Sequence, residues 1–201
     1  MEISNIKIVA ATGNKHKIKE IEAVTSSFGM KIITKNEAGA GVLEVEETGL
    51  SFEENSRIKA EAISSVTGLA AIADDSGLEV DFLDGAPGIY SARFSGENAT
   101  DDENNRKLLH LLVDVPDNKR TARFVSVITL IFTDGRSITV RGECSGQILR
   151  EPRGKNGFGY DPLFMPDGFD KSFAELDPEE KNAVSHRAAA LKKLEHELKA
   201  L

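Results

Sequence analysis

The chain has 201 residues, 40% hydrophobic and 29% charged, with a formal net charge of -8 and one cysteine, Cys144. That size and mix read as one globular domain, residues 1–201, able to bury a proper core. The acidic balance excludes a surface that coats nucleic acid. The lone cysteine excludes an internal disulfide framework and a Cys-based metal cluster, and fits a reducing cytoplasm.

In chain order, Ile6 to Ala11 reads as a strand. No basic region followed by a long apolar one precedes it at Met1–Asn5, so no signal peptide is expected. No apolar run nears the roughly 20 residues that span a bilayer, so no membrane partner is expected either. Ile18, Ile21, Val24 and Phe28 share one face of a predicted helix. Ile32-Ile33 reads as a short strand, followed by an acidic, glycine-rich loop to Gly49. Ser51 and Glu54 predict a capping box on a helix that runs to Val66 and ends at Gly68. Leu69–Ala73 reads as a buried strand, and Leu78–Phe82 as a further extended piece. Gly85–Gly88 is a turn, and Thr100 with Glu103 caps a helix that faces inward through Leu108, Leu109 and Leu112.

The period then changes. Phe124–Phe132 is a long strand, and Asp134-Gly135 turns it into Ser137–Val140. Gly146–Leu149 is extended, Gly154–Asp161 is a glycine-rich loop, and a last helix covers Lys181–Leu198, with Ala188, Leu191, Leu194 and Leu198 inward. Helices alternating with strands, then a hairpin, predict an α/β fold with a mixed sheet.

Five segments carry chemistry, each with a plainer reading beside it. Thr12-Gly13-Asn14-Lys15-His16-Lys17, between strand and helix, suits a phosphate at a helix N-terminus, or is a helix cap with solvated lysines. It is not a Walker A loop. Glu47, ahead of a helix with Asn55 and Lys59 on one face, is a candidate oxygen ligand for a hard cation, or part of an acidic surface loop. Asp74-Asp75-Ser76-Gly77 sets two carboxylates at a strand end, able to hold a cation and polarise water, or is a turn. Gly157-Phe158-Gly159-Tyr160-Asp161 offers ring faces and an acceptor for a nucleobase, or plugs a tight loop. Lys181 to Arg187, with Ser185 and His186, puts polar groups near one face of the last helix, or is a charged first turn.

Six motifs in order resemble the inosine triphosphate pyrophosphatase family, which hydrolyses non-standard purine nucleoside triphosphates. They are Thr-Gly-Asn-x-x-Lys from Thr12, Glu-Thr-Gly with Phe-x-x-Asn from Glu47, Asp-Asp-Ser-Gly-Leu from Asp74, Gly85 to Arg93, Gly-Phe-Gly-Tyr-Asp-Pro from Gly157, and Ser-His-Arg from Ser185. The resemblance implies a single two-lobed α/β domain, its long mixed β-sheet flanked by helices, an active-site cleft between lobes, and a homodimer. It implies Mg²⁺-dependent cleavage of ITP, dITP or XTP to the monophosphate and pyrophosphate. Carried over, Thr12 to Lys17 and Lys59 look like triphosphate contacts, and Glu47 and Asp75 like the metal-linked carboxylates. Asp75 resembles the proton acceptor and Ser76 a substrate contact. Phe158, Gly159, Tyr160, Asp161, Lys181, His186 and Arg187 look like base and sugar contacts. Asp74 is expected to support Asp75 or to fix a turn as an acceptor, rather than to react.

Overall fold

The short apolar runs near the start of the chain become parallel strands. The computed structural model describes residues 6–201, so the expectation made at Met1–Asn5 lies outside the described residues. Its strands are β1 (Lys7–Ala10), β2 (Lys31–Thr34), β3 (Ala70–Val80), β4 (Thr121–Ile131), β5 (Ser137–Ile148) and β6 (Phe164–Pro166), joined in the order β2-β1-β3-β4-β5-β6. The helices are α1 (Lys15–Thr25), α2 (Phe52–Thr67), α3 (Asp101–Leu111), α4 (Pro178–Val184) and α5 (His186–Lys199). The sheet is mixed: β1 runs parallel to β2 and β3, while β6 is antiparallel to β5. No helix among the described residues is long and apolar enough to cross a membrane.

The chain forms two compact units from interleaved segments. The first takes the chain up to Asp75, Ser126–Gly142 and everything from Ala190 on; the second takes Ser76–Val125 and Glu143–Ala189. In the first, strand alternation sorts residues between two faces. Ile8, Ala10, Ala70 and Ile72 pack with Ile21 of α1 and Leu191, Leu194 and Leu198 of α5. Val9 and Ala71 pack on the other side with Ile63 of α2. The chain goes from β1 out to β2, then back across to β3, and right-handed crossovers in opposite directions put α1 and α2 on opposite faces. The carboxyl end of β1 is therefore a topological switch point, the place where open α/β sheets take ligands. The second unit is built on Phe124, Phe164 and Phe173, with Leu78, Leu108, Tyr160 and Leu176 around them.

Four expectations are corrected. Asp74-Asp75-Ser76-Gly77 is neither a turn nor a strand end, because β3 runs through it without a break. Every residue from Ala70 to Asp75 is buried there, and packing on both faces overrides the turn preference of Asp, Ser and Gly. The last helix is two helices: Ser185 leaves helical geometry at ψ 154°, and its hydroxyl accepts from Ala188 N at 3.2 Å as the cap of α5. Lys181 and Ser185 thus share no continuous helical face. The Ser51 capping box is half made. Ser51 Oγ accepts from Glu54 N at 3.1 Å, but Glu54 Oε2 accepts from Leu50 N at 2.6 Å rather than from Ser51 N. The predicted extended pieces at Ser137–Val140 and Gly146–Leu149 are one strand, β5.

Candidate active site

The switch point carries the first motif. Thr12 Oγ1 accepts from Asn14 N at 3.1 Å, and Asn14 Oδ1 accepts from Lys17 N at 3.3 Å, so Asn14 caps α1. The plainer reading of Asn14 is thus met, and Lys17 is not a solvated lysine: its ammonium donates to Asp74 Oδ1. A side chain at Gly13 would meet nothing within 4 Å, which leaves the backbone there open to approach. The side chains of Lys15 and His16 lie outside the described residues.

Alternation along β3 sends the two adjacent aspartates to opposite faces. Asp74 shares the face of Ile72, beneath α1, and is closed off: Lys17 donates to Oδ1 and Ser126 Oγ to Oδ2 at 2.7 Å. Asp75 shares the face of Ala71, beneath α2, where Lys59 Nζ donates to Oδ1 at 2.7 Å. The same ammonium donates to Glu47 Oε1 at 3.0 Å. Asp75 Oδ2 is buried and has no hydrogen-bond partner. Burial, first, pushes the Asp75 carboxyl above its ordinary value; Lys59 pulls the other way, and the charges of Glu47 and Asp74 add to the rise. The Lys59 ammonium is opposed by its own burial, yet Asp75 and Glu47 outweigh this and hold its pKa above the usual lysine value. The outcome is a desolvated carboxylate of raised basicity with one oxygen unspent. Such a group takes a proton or a cation.

In the second unit the loop from Gly157 to Asp161 is gripped from three sides. Asp161 Oδ2 accepts from Phe158 N at 2.9 Å and from Lys181 Nζ at 2.5 Å. Gly157 needs its missing side chain, since a Cβ would stand 2.0 Å from Asp161 Oδ2 and φ is +77°. Two residues of α3 hold Gly159: Asp101 Oδ2 accepts from its N–H at 2.7 Å, and Asn105 Nδ2 donates to its carbonyl at 2.9 Å. The ring of Tyr160 is sealed in the core, with its hydroxyl donating to Ser91 O at 2.9 Å, so its expected ring face is already used. Phe158 is 59% exposed, and Lys181 Nζ lies 5.3 Å from its ring centroid. His186 is buried and stacks on Phe124 at 5.0 Å; Arg187 is buried at the start of α5. Ser76 is half-buried within β3.

The structure thus gathers Lys17, Glu47, Lys59, Asp74 and Asp75 in one unit, and Phe158, Gly159, Tyr160, Asp161, Lys181 and His186 in the other. The sequence pattern assigns no role to Ser126, Asp101 or Asn105, and holds Ser91 only as a member of the Gly85 to Arg93 motif. The spacing of Asp101 and Asn105, one turn apart on α3, was the available signal, but nothing local says that Gly159 lies opposite.

Comparison with known proteins finds relatives along nearly the whole chain. The pattern of the Ham1 family matches residues 8–197. The dITP/XTP pyrophosphatase of Salmonella typhimurium is 52% identical over 190 residues, covering 94% of this chain and 95% of that one. That of Clostridium perfringens is 46% identical over 201 residues, covering 97% and 98%. Among solved structures, a HAM1 protein from Coxiella burnetii superposes with a TM-score of 0.90 at 43% identity, over 98% of this chain and 100% of that one. A nucleoside-triphosphatase / dITP/XTP pyrophosphatase from Mycobacterium abscessus gives 0.81 at 46%, over 94% and 98%.

Proposed function

The chain belongs to the Ham1 family, and from that premise we propose that it is a nucleoside triphosphate pyrophosphatase cleaving ITP, dITP and XTP to the monophosphate and pyrophosphate. The observation that carries the reading is the unspent, buried oxygen of Asp75 beside the Lys59 bridge to Glu47. In this reaction a water oxygen bonds to the α-phosphorus and the bond to the β-bridging oxygen breaks. The water's proton passes to Asp75 Oδ2, and pyrophosphate leaves with the bonding pair. A carboxylate whose pKa is raised above the ordinary range is the better acceptor for that proton. Lys17 and Lys59 offset the charge that builds on the transferred and departing phosphates.

Mg²⁺ fits the donors present. Asp75 and Glu47 together carry more negative charge than Lys59 neutralises, so the pair has ligand capacity beyond the one oxygen that takes the proton. No cluster of three or more His, Cys, Asp or Glu residues forms a ready cation cage among the described residues. Two carboxylates with substrate phosphates and water make up the usual magnesium set. When bound there, the cation would polarise the phosphate and lower the charge of the leaving group.

The base belongs with the second unit. The exposed Phe158 ring supplies a stacking face, and Lys181, whose ammonium has donors beyond the one given to Asp161, suits a 6-keto oxygen. Adenine places an amino donor there and would leave the lysine unpaired, which disfavours it. The remaining contacts in this reading are Thr12 to Lys17 on the triphosphate and Ser76, His186 and Arg187 on the nucleotide. A homodimer in the cytoplasm completes the reading, and size-exclusion with light scattering tests its assembly.

The deciding experiment is a product-resolved assay with ITP, XTP, dATP and dGTP plus Mg²⁺. IMP and pyrophosphate from ITP support the reading; IDP with inorganic phosphate overturns the cleavage site. Preference for a modified pyrimidine overturns the substrate class, and tight binding of ITP without turnover points to a nucleotide sensor.

A further inference from the structure

Helix α2 supplies Lys59, and its first turn also grips the loop that carries Glu47. Asn55 Oδ1 accepts from Gly49 N at 2.8 Å, in a buried position two residues from Glu47. Glu54 Oε2 accepts from Leu50 N, and Lys59, one helical turn beyond Asn55, holds Glu47 itself. The fit is close. A Cβ on Gly49 would stand 2.7 Å from both Asn55 Oδ1 and Glu54 Cβ, and 2.9 Å from Asn55 N. Asn55 is fully buried, and its Nδ2 has no acceptor. The amide thus leaves one donor unsatisfied in order to present one acceptor, and that acceptor is spent on the buried N–H of Gly49.

We infer that Asn55 is a positioning residue for Glu47: by holding Gly49 N–H it sets where the Glu47 carboxylate stands relative to Lys59 and Asp75, and so tunes the affinity of the site for a divalent cation. The inference rests on the reading of Glu47 as a metal-linked carboxylate. Groups that orient a metal ligand commonly govern affinity by 10–100-fold. In this case the grip is on the backbone, two residues from the ligand, and it works because α2 is rigid and already carries the lysine that both carboxylates share.

The test compares Asn55→Leu, Asn55→Asp and Gly49→Ala with the parent protein. Asn55→Leu removes the acceptor at constant size. Asn55→Asp keeps it, because a carboxyl buried at this position is held protonated and offers the same carbonyl oxygen. Gly49→Ala opens the same contact from the loop side and serves if a position-55 variant does not fold. Two readouts are taken: hydrogen exchange of a peptide spanning residues 44–50, and the Mg²⁺ concentration for half-maximal ITP cleavage beside the KM for ITP.

The expected result is faster exchange in residues 44–50 for Asn55→Leu and Gly49→Ala, with β1 and β3 unchanged. The Mg²⁺ midpoint should rise about tenfold while the KM moves less than about threefold, and Asn55→Asp should restore most of it. Exchange that quickens throughout the first unit, a midpoint and KM that rise together, or equal defects in the Leu and Asp variants would each overturn the inference. If the parent cleaves no ITP, the reading of function fails instead, and the exchange readout still decides whether Asn55 holds the loop.

Discussion

Three lysine–aspartate pairs in this protein look alike on paper and differ in what each aspartate has left over. Asp74 gives one oxygen to Lys17 and the other to Ser126. Asp161 spends Oδ2 on Lys181 and on the amide of Phe158, and so ties down its loop. Asp75 gives Oδ1 to Lys59 and keeps Oδ2 buried without a partner. Pairing with lysine therefore does not mark the reactive group. Under the proposed function the residual valence does: Asp74 and Asp161 serve to hold neighbours in place, and the buried, unsaturated Asp75 is held ready at a cost to the fold.

The sharpest way to break this comparison is to neutralise each aspartate in turn. Asp75→Asn is expected to lower kcat/KM for ITP by about 10³-fold, the scale of a lost general base, while isothermal titration still detects nucleotide binding. A residual activity within tenfold of the parent would show that Asp75 is not the proton acceptor. Asp161→Ala comes next. With the amide of Phe158 and the ammonium of Lys181 both released, kcat/KM for ITP should fall by roughly 30-fold, an order-of-magnitude figure for one charge-assisted contact. Discrimination against dATP should fall with it in paired assays.

Asp74→Asn sharpens the contrast from the other side. Its activity loss should stay near tenfold, but chemical denaturation should show a loss of about 1–3 kcal/mol, because Lys17 is left without its counter-charge in a half-buried place. The same measurement on Asp75→Asn should move by less than about 1 kcal/mol, since Glu47 still pairs with Lys59 and the parent fold already disfavours the charged Asp75. If the two variants exchange places on the stability axis, the saturated-versus-unsaturated distinction is wrong.

The smallest effect isolates burial without a cation. Burial first, then the charge of Asp167, pushes the Cys144 thiol from 9.0 up to about 11. A raised pKa means that the folded state holds its proton longer than the unfolded chain. The contribution to stability is therefore whole below pH 9.0 and is lost as pH rises toward about 11. Urea midpoints at pH 8 and pH 10 should separate the parent from Cys144→Ala by about 1 kcal/mol more at the lower pH than at the higher.

Much of the fold was legible because local signals and tertiary packing agree. The capping box of Thr100 with Glu103, the Gly68 helix end and the Asp134-Gly135 turn all sit where the sequence places them. Where they disagreed, packing won. Asp74 to Gly77 has the composition of a turn but lies inside β3, and the break at Ser185 depends on a capping hydroxyl whose alternative was one more helical turn. Tyr160 read as a ring offered to a base, yet its hydroxyl finds Ser91 O across 69 positions of chain, a separation that no local pattern encodes.

The sequence by itself determined the family, the α/β class and the identity of the charged groups, because ordered motifs and apolar period are properties of the chain alone. Only the tertiary structure decided which aspartate is spent and which keeps an oxygen in reserve. That outcome depends on strand parity, which turns Asp74 toward α1 and Asp75 toward α2. It depends as well on partners brought from afar: Ser126 for the one, Lys59 and Glu47 for the other. Adjacent residues in a strand share a sequence neighbourhood but face different environments, and the environment sets the chemistry.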